Sequence, residues 1–380
     1  MLSLHVDTAR TWRGGQNQVL LTVLGLRAMG QRAVLVAHGD GELYRRALEG
    51  PDLVALAPRN EVDLSAAWKL SRVIRQFKPE IVHAHDPHAV SMAGLALAFN
   101  APTPSPRLVA SRRVDFHLQK HSFSKWKYRQ VDLFLAASVA IRDILVHDGI
   151  AADRVIVVHD GIDVGKIGRL PVADIHAEFW LPHGAPVLVN VGALVPHKGQ
   201  RFLVQAMPQV LHDVPEAHLI IFGEGELRSA LERQVRELHL EKHVLLPGFR
   251  PDVLQLAKSA DLFVMSSVTE GLGSTVLDAM AMQLAVVGTT AGGIPETVID
   301  GQTGLLVPPG HAAPLAAAIV RLLKDPAARA RMGQAGLSRV AEHFGVGRML
   351  QRTVQAYRRA AEMNANTTSL NSRDQPSGSA

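Results

Sequence analysis

Short apolar runs alternate with helix-period segments along nearly the whole chain, and the alternation occurs twice. LSLHVD (2–7), RAVLVAHG (32–39), PEIVHAHD (79–86), RLVASRR (107–113), the end of SKWKYRQVDLFLAAS (124–138) and DRVIVVHDGID (153–163) read as strands. Helical periods fill 16–29 and 64–78 between them. A second set follows: APVLVNVGAL (185–194), HLIIFGEG (218–225), HVLLPGF (243–249), DLFVMSS (261–267), AVVGTTAGG (285–293) and TGLLVPP (303–309), with helices from Gln200, from Glu226 and behind residue 267. Strand–helix–strand alternation predicts parallel sheets of βαβ units. The fold class is therefore α/β, with two doubly wound, Rossmann-like domains expected to face a central cleft. Ligands in such sheets sit beyond the carboxyl ends of the strands. The Gly-rich, weakly periodic GIDVGKIGRLPVAD (161–174) suggests the connection. The expected division is a first domain over 1–165, a linker over 166–180 and a second domain over 181–343. FGVGRMLQRTVQAYRRA (344–360) reads as a helix, and the polar, aperiodic 364–380 as a disordered tail.

Composition narrows the function. Apolar residues make up 47% of the chain, a globular profile. No apolar run reaches the roughly 18 residues of a spanning helix; VSMAGLALAF (90–99) and LFLAASVAI (133–141) suit buried elements. MLSLHVDTARTWRGG lacks the basic-then-apolar order of a secretory signal. The absence of cysteine excludes disulfides, thiolate zinc sites and a cysteine nucleophile, and fits a reducing, cytoplasmic location. The net charge of +5 is uneven: residues 1–170 carry 22 Lys/Arg against 16 Asp/Glu, and the remainder 18 against 19. A basic first half favours anionic partners.

Four stretches carry candidate chemistry. In TWRGGQNQ (11–18), Gly14 and Gly15 stand between the first strand and first helix, where freed N–H groups and the helix dipole favour an anion; a plain tight turn is the alternative. In NVGALVPHKGQ (190–200), Gly192 ends a strand and Lys198 opens a helix, as a diphosphate-holding lysine or a solvated one. TEGLGSTVLDAM (269–280) sets Glu270 and Asp278 eight residues apart, with Gly271, Gly273, Ser274 and Thr275 as donors at a helix start. In IVHAHD (81–86), His83 and His85 share one strand face. A cleft-lining role suits them better than a metal site, since no third ligand spacing supports a metal.

The order of these stretches, together with FGEGELR, LPGFRPDV and GGIPETVIDGQTGLLVPPG, resembles the family 4 retaining glycosyltransferases of the GT-B fold. The resemblance covers nearly all of 1–360 and is most specific over 185–310. It implies transfer of a sugar from a nucleoside-diphosphate sugar to a saccharide or lipid-linked acceptor, as in cell-envelope glycan synthesis. It implies a first domain for the acceptor and a second for the donor, with the helix at about 344–361 packed back on the first. Glu270 would face the donor sugar's hydroxyls near the reacting carbon, and Asp278 stands where the family has a Glu that binds the ribose. Lys198 would hold the diphosphate, with Gly14 and Gly15 capping it. His85 would line the sugar pocket, and Phe249 and Arg250 would flank the base. Neither metal nor cofactor is implied, and no nucleic-acid motif is present.

Two departures stand out. Asp278 is one methylene shorter than the family's Glu, and Ala193 replaces an Arg that would be a second diphosphate cation. Arg112, Arg113 or His197 are candidate substitutes for that charge. The departures keep open a nucleotide-sugar-binding protein with little or no transferase activity, and the fold keeps open a nucleotide-sugar epimerase. Finally, RLVASRRVDFHLQKHSFSKWKYRQ (107–130) holds seven Lys/Arg and one Asp interleaved with aromatics. It is either a solvated basic helix or a peripheral contact with an anionic, cytoplasmic membrane face.

Overall fold

The computed structural model describes residues 1–48, 50, 52–100, 102–118 and 122–371. The chain divides into two units, one of residues 1–161 with the segment from 346 onward, the other of Ile162–Gly345.

The first unit is built on seven parallel strands, β1 (Leu2–Asp7), β2 (Arg32–Ala37), β3 (Leu53–Ala55), β4 (Ile81–Ala84), β5 (Arg107–Arg112), β6 (Leu133–Ala136) and β7 (Val155–Val157), in the order β3-β2-β1-β4-β5-β6-β7. The order reverses between β1 and β4, which lie side by side with His5 opposite His83. A crevice for ligands opens at such a switch point. One sheet face buries Leu4, Val6, Val82 and Ala84 under the helices Leu64–Phe77 and Pro87–Asn100. The other buries Leu35, Ile81, Val109 and Leu133 under the helices Gly14–Ala28 and Val346–Asn371. The last helix returns to this unit through Met349, Leu350, Val354 and the fully buried Tyr357. It continues to Asn371, so the first residues of the expected tail are helical, because extending a formed helix adds a hydrogen bond per residue. Residues 372–380 lie outside the described residues.

The second unit has six parallel strands, β8 (Val187–Val191), β9 (His218–Phe222), β10 (Val244–Gly248), β11 (Leu262–Met265), β12 (Ala285–Thr289) and β13 (Gly304–Val307), ordered β10-β9-β8-β11-β12-β13. Its switch point lies between β8 and β11. The expected linker is instead part of this unit. Ile162, Ile167 and Ile175 are buried in one cluster with Val187, Val189 and Phe263. Asp163 and Asp174 cap the short helices Val164–Arg169 and Ile175–Glu178, accepting from the N–H of Lys166 at 2.8 Å and of His176 at 2.9 Å. The glycines in this stretch mask an apolar spacing sufficient to anchor it.

Within the basic segment, two cations are unavailable to a membrane surface. Lys127 is 5% exposed and paired with Glu61 at 3.2 Å. Arg112 is 9% exposed and donates to the Phe116 carbonyl. Phe116, Lys125 and Arg129 stay on the outside, and Lys120 lies outside the described residues. No helix among the described residues is long and apolar enough to cross a membrane.

Candidate functional site

In the second unit, the loops after β8, β11 and β12 are drawn together by backbone contacts that only glycine permits. Gly199 has φ +65°, and a Cβ there would collide with the Ser266 carbonyl oxygen. Gly292, at φ +49°, lies as tightly over the Glu270 carbonyl. Side chains and backbone complete the junction: Ser266 Oγ donates to the Lys198 carbonyl at 3.1 Å, and Val268 N–H to the His197 carbonyl at 2.7 Å. The result is an ion pair between Lys198 Nζ and Glu270 Oε2 at 2.6 Å. Ser267 Oγ donates to the same carboxylate oxygen at 2.9 Å, and Thr289 Oγ1 fixes the Ser267 carbonyl at 2.7 Å. Both charged side chains are mostly covered, at 19% exposure for Lys198 and 11% for Glu270. Gly192 belongs to the same corner, since a Cβ on it would touch the Lys198 side chain at 3.8 Å.

From Glu270 the chain passes the buried Gly271 and Leu272 to Gly273, whose φ of +86° starts the helix Ser274–Ala281. Ser274 and Thr275 occupy its first turn, where N–H groups have no intrahelical acceptor and an anion is favoured. Asp278 follows, half-buried. Its carboxylate has no hydrogen bond or ion pair among the described residues, and burial pushes its pKa up to about 7. Phe249 is 70% exposed. The Arg250 guanidinium is committed to Asp252, at 2.8 Å through two nitrogens, and to Glu178, which together raise its pKa.

In the first unit, the helix Gly14–Ala28 begins at Gly14 itself, and a Cβ on Gly15 would meet open space. Asp7, at the end of β1, is buried beside Asp86, and burial followed by that neighbouring charge raises its pKa to about 7. His85 is buried with both ring nitrogens engaged, which sets it differently from an open sugar-pocket residue. The third histidine that the sequence spacing failed to supply is His5, on the adjacent strand. One ring nitrogen from each of His5, His83 and His85 lies within 4.8 Å of the others, a grouping able to hold a metal ion.

Hydrogen bonds already account for every ring nitrogen of the trio. Arg113, held by Asp160 at 2.9 Å, approaches His85 Nδ1 at 3.4 Å. A guanidinium only donates, so His85 carries its proton on Nε2, which faces His5 Nδ1 at 3.0 Å. His5 then donates from Nε2 to Ser3 Oγ at 2.9 Å. His83 contacts Tyr357 at 2.6 Å and Ser111 at 2.8 Å. Metal on His85 Nε2 would displace that proton while the Arg113 donor still faced Nδ1, so the donor set disfavours a metal. Burial keeps all three rings neutral, lowering the pKa of His5 to about 3 and those of His83 and His85 well below the ordinary value.

This burial has a pH signature. Below pH 6.5 an unfolded His5 binds a proton that the folded ring refuses, so stability present above 6.5 is lost as pH falls toward 3. By pH 5 the loss is about 2 kcal/mol. Denaturant titrations at pH 7.5 and 5 should show the native protein losing more stability than His5→Gln by about that amount; equal losses would refute a neutral His5.

Two family models match the chain: Glycosyltransferase Family 4 over residues 12–166 and Glycosyl transferases group 1 over 172–339. The two matches support a glycosyltransferase of group 1. It is 27% identical over 347 residues to the sulfoquinovosyl transferase SQD2 of Arabidopsis thaliana, covering 85% of this chain and 66% of that protein, just under two thirds of its length. It is 26% identical over 326 residues to the lipopolysaccharide core biosynthesis glycosyltransferase LpsE of Rhizobium meliloti (strain 1021), covering 83% and 87%. Anabaena HepE, solved in complex with UDP-glucose, shares the fold at a TM-score of 0.81 and 21% identity, covering 96% of this chain and all of that one. The fold is thus GT-B, with two Rossmann-like parallel-sheet units.

Proposed function

We propose that this chain moves a sugar, with retention of configuration, from a nucleoside-diphosphate sugar to a saccharide or lipid-linked acceptor in cell-envelope glycan synthesis. The observation that carries the donor half is the meeting of Lys198, Glu270 and a glycine-opened helix start at the second unit's switch point. The HepE complex with UDP-glucose supports a nucleotide-sugar donor, and LpsE supports the envelope context.

In this reading the Lys198 ammonium and the N–H groups of Ser274 and Thr275 receive the leaving diphosphate. Preorganised donors at developing negative charge are a large source of rate. Glu270 faces the donor sugar near its reacting carbon, and Asp278 accepts from the ribose hydroxyls. Phe249 sits beside the base. Arg250 contributes through its backbone, because Asp252 and Glu178 occupy its charge. Gly14 and Gly15 offer further N–H groups to an anion, and His85 shapes its pocket through its ring rather than as a proton acceptor. Among the described residues no second acid appears where a double-displacement nucleophile would be expected, which favours front-face retention, the leaving phosphate drawing the proton from the acceptor hydroxyl.

A thermal-shift screen of nucleotide-sugars tests the donor. A ligand at 100 times its Kd stabilises by about 2.7 kcal/mol. The donor so found should be consumed with an acceptor equally well in EDTA. No stabilisation by any nucleotide-sugar would defeat the reading, and activity lost to EDTA and restored by a divalent ion would defeat metal independence.

We further propose that 107–130 touches an anionic, cytoplasmic membrane face through Phe116, Lys125 and Arg129. Their exposure supports this, and the burial of Lys127 removes that residue from the contact. Binding to anionic vesicles should fall with salt and when Lys125 and Arg129 become Ser; equal binding to neutral vesicles would leave only a solvated helix.

A further inference from the structure

Two consecutive serines directly follow β11, and each holds one half of the Lys198–Glu270 pair. Ser266 donates to the Lys198 backbone, Ser267 to the Glu270 carboxylate. Ser267 is fully buried, and Thr289, 2% exposed, anchors its carbonyl. Glu270 Oε2 therefore has two donors, one charged at 2.6 Å and one neutral at 2.9 Å. The geometry points to Glu270 as an internal competitor with the diphosphate for Lys198, and to Ser267 as the positioning residue that keeps Glu270 satisfied when the ammonium turns to phosphate. This rests on the donor assignment above.

The physical argument concerns what each exchange leaves behind. A diphosphate that takes the Lys198 ammonium takes it from a carboxylate 11% exposed. A mostly buried carboxylate stripped of its partners loses stability, whereas one that retains a hydrogen bond loses much less. Ser267 supplies that retained bond. Its hydroxyl also keeps Oε2 aimed along one direction, so Glu270 stays in place beside the donor sugar instead of swinging after the lysine. The pair thereby favours ligands carrying enough negative charge to win Lys198. A bare nucleoside has nothing to offer the ammonium and gains nothing from the exchange.

Four proteins decide the matter: native, Ser267→Ala, Glu270→Gln and the double variant, each titrated calorimetrically with UDP, GDP and ADP and with the matching nucleosides. Glu270→Gln should bind the preferred diphosphate about tenfold tighter, since the competing charge is gone. Ser267→Ala should bind it several-fold more weakly without touching it, and the double variant should match Glu270→Gln. Nucleoside affinity should be unchanged throughout. Ser267→Ala weakening both backgrounds equally would mark Ser267 as merely structural and overturn the proposal, as would no effect of Ser267→Ala beside native Glu270. Glu270→Gln failing to tighten would overturn it too, and that arm decides alone if Ser267→Ala fails to fold. A native protein that binds none of the three diphosphates rejects the donor assignment instead, a distinguishable failure.

Discussion

Glu270→Gln should lower the turnover of sugar transfer by roughly a hundred- to a thousand-fold, the range seen when a preorganised electrostatic contact to a transition state is removed. Folding should survive. The amide nearly matches the carboxylate in shape, and Ser267 Oγ can still donate to its oxygen at the position it now occupies. Positive charge gathers on the sugar as the bond to phosphate breaks, and a carboxylate stabilises it where a neutral amide does not. The loss should therefore fall on kcat, while donor KM holds or improves as Lys198 is released from the competing charge. Steady-state assays with the identified donor measure both constants. Transfer near the native rate would remove Glu270 from the reaction, and a rise in KM alone would make it a binding residue.

The sheets of both units were legible because parallel strands are apolar enough to stand out against helical periods. β8 to β13 all fall within the apolar runs. β3 did not, because three residues at a sheet edge make no pattern. Nor did the true start of the second unit, where Ile162, Ile167 and Ile175 are dispersed among glycines. At the site, Lys198 and Glu270 were legible from loop positions and resemblance, but their 2.6 Å pairing was not, since 72 residues separate them. Ser266 and Ser267 read simply as the end of a strand. Gly199 and Gly292 matter through what a Cβ would strike, which depends on a neighbouring loop. His5 was hidden for the same reason: its partners His83 and His85 lie on β4 and just after it, in register only once β1 and β4 pair. A sequence indicates which residues can donate or ionise; pairing across a switch point decides whether they are engaged. Lys127 is the converse case, basic in sequence and buried against Glu61 in the fold.

Lys198→Ala should weaken donor affinity by on the order of 10–100-fold, one charge-assisted contact at roughly 1.5–3 kcal/mol. Affinity for the bare nucleoside should be unchanged, because the proposed site gives the base to Phe249 and the ribose to Asp278 rather than to Lys198. Calorimetry with the diphosphate and its nucleoside separates the two, and an unchanged diphosphate affinity would move the phosphate site away from Lys198. The companion variant is Ala193→Arg, at the corner where the family carries a second cation. Two of the substitutes expected from sequence are already engaged: Arg112 on the Phe116 carbonyl, and Arg113 on Asp160 and His85. Ala193 itself is half-buried, and its carbonyl accepts from Gln200 Nε2 at 3.0 Å, a backbone contact that a longer side chain need not disturb. The corner therefore lacks a charge that those two arginines can lend. Ala193→Arg should raise diphosphate affinity about tenfold and should partly restore binding when combined with Lys198→Ala. No gain in either background would show that another group, with His197 the remaining candidate, already neutralises the second phosphate.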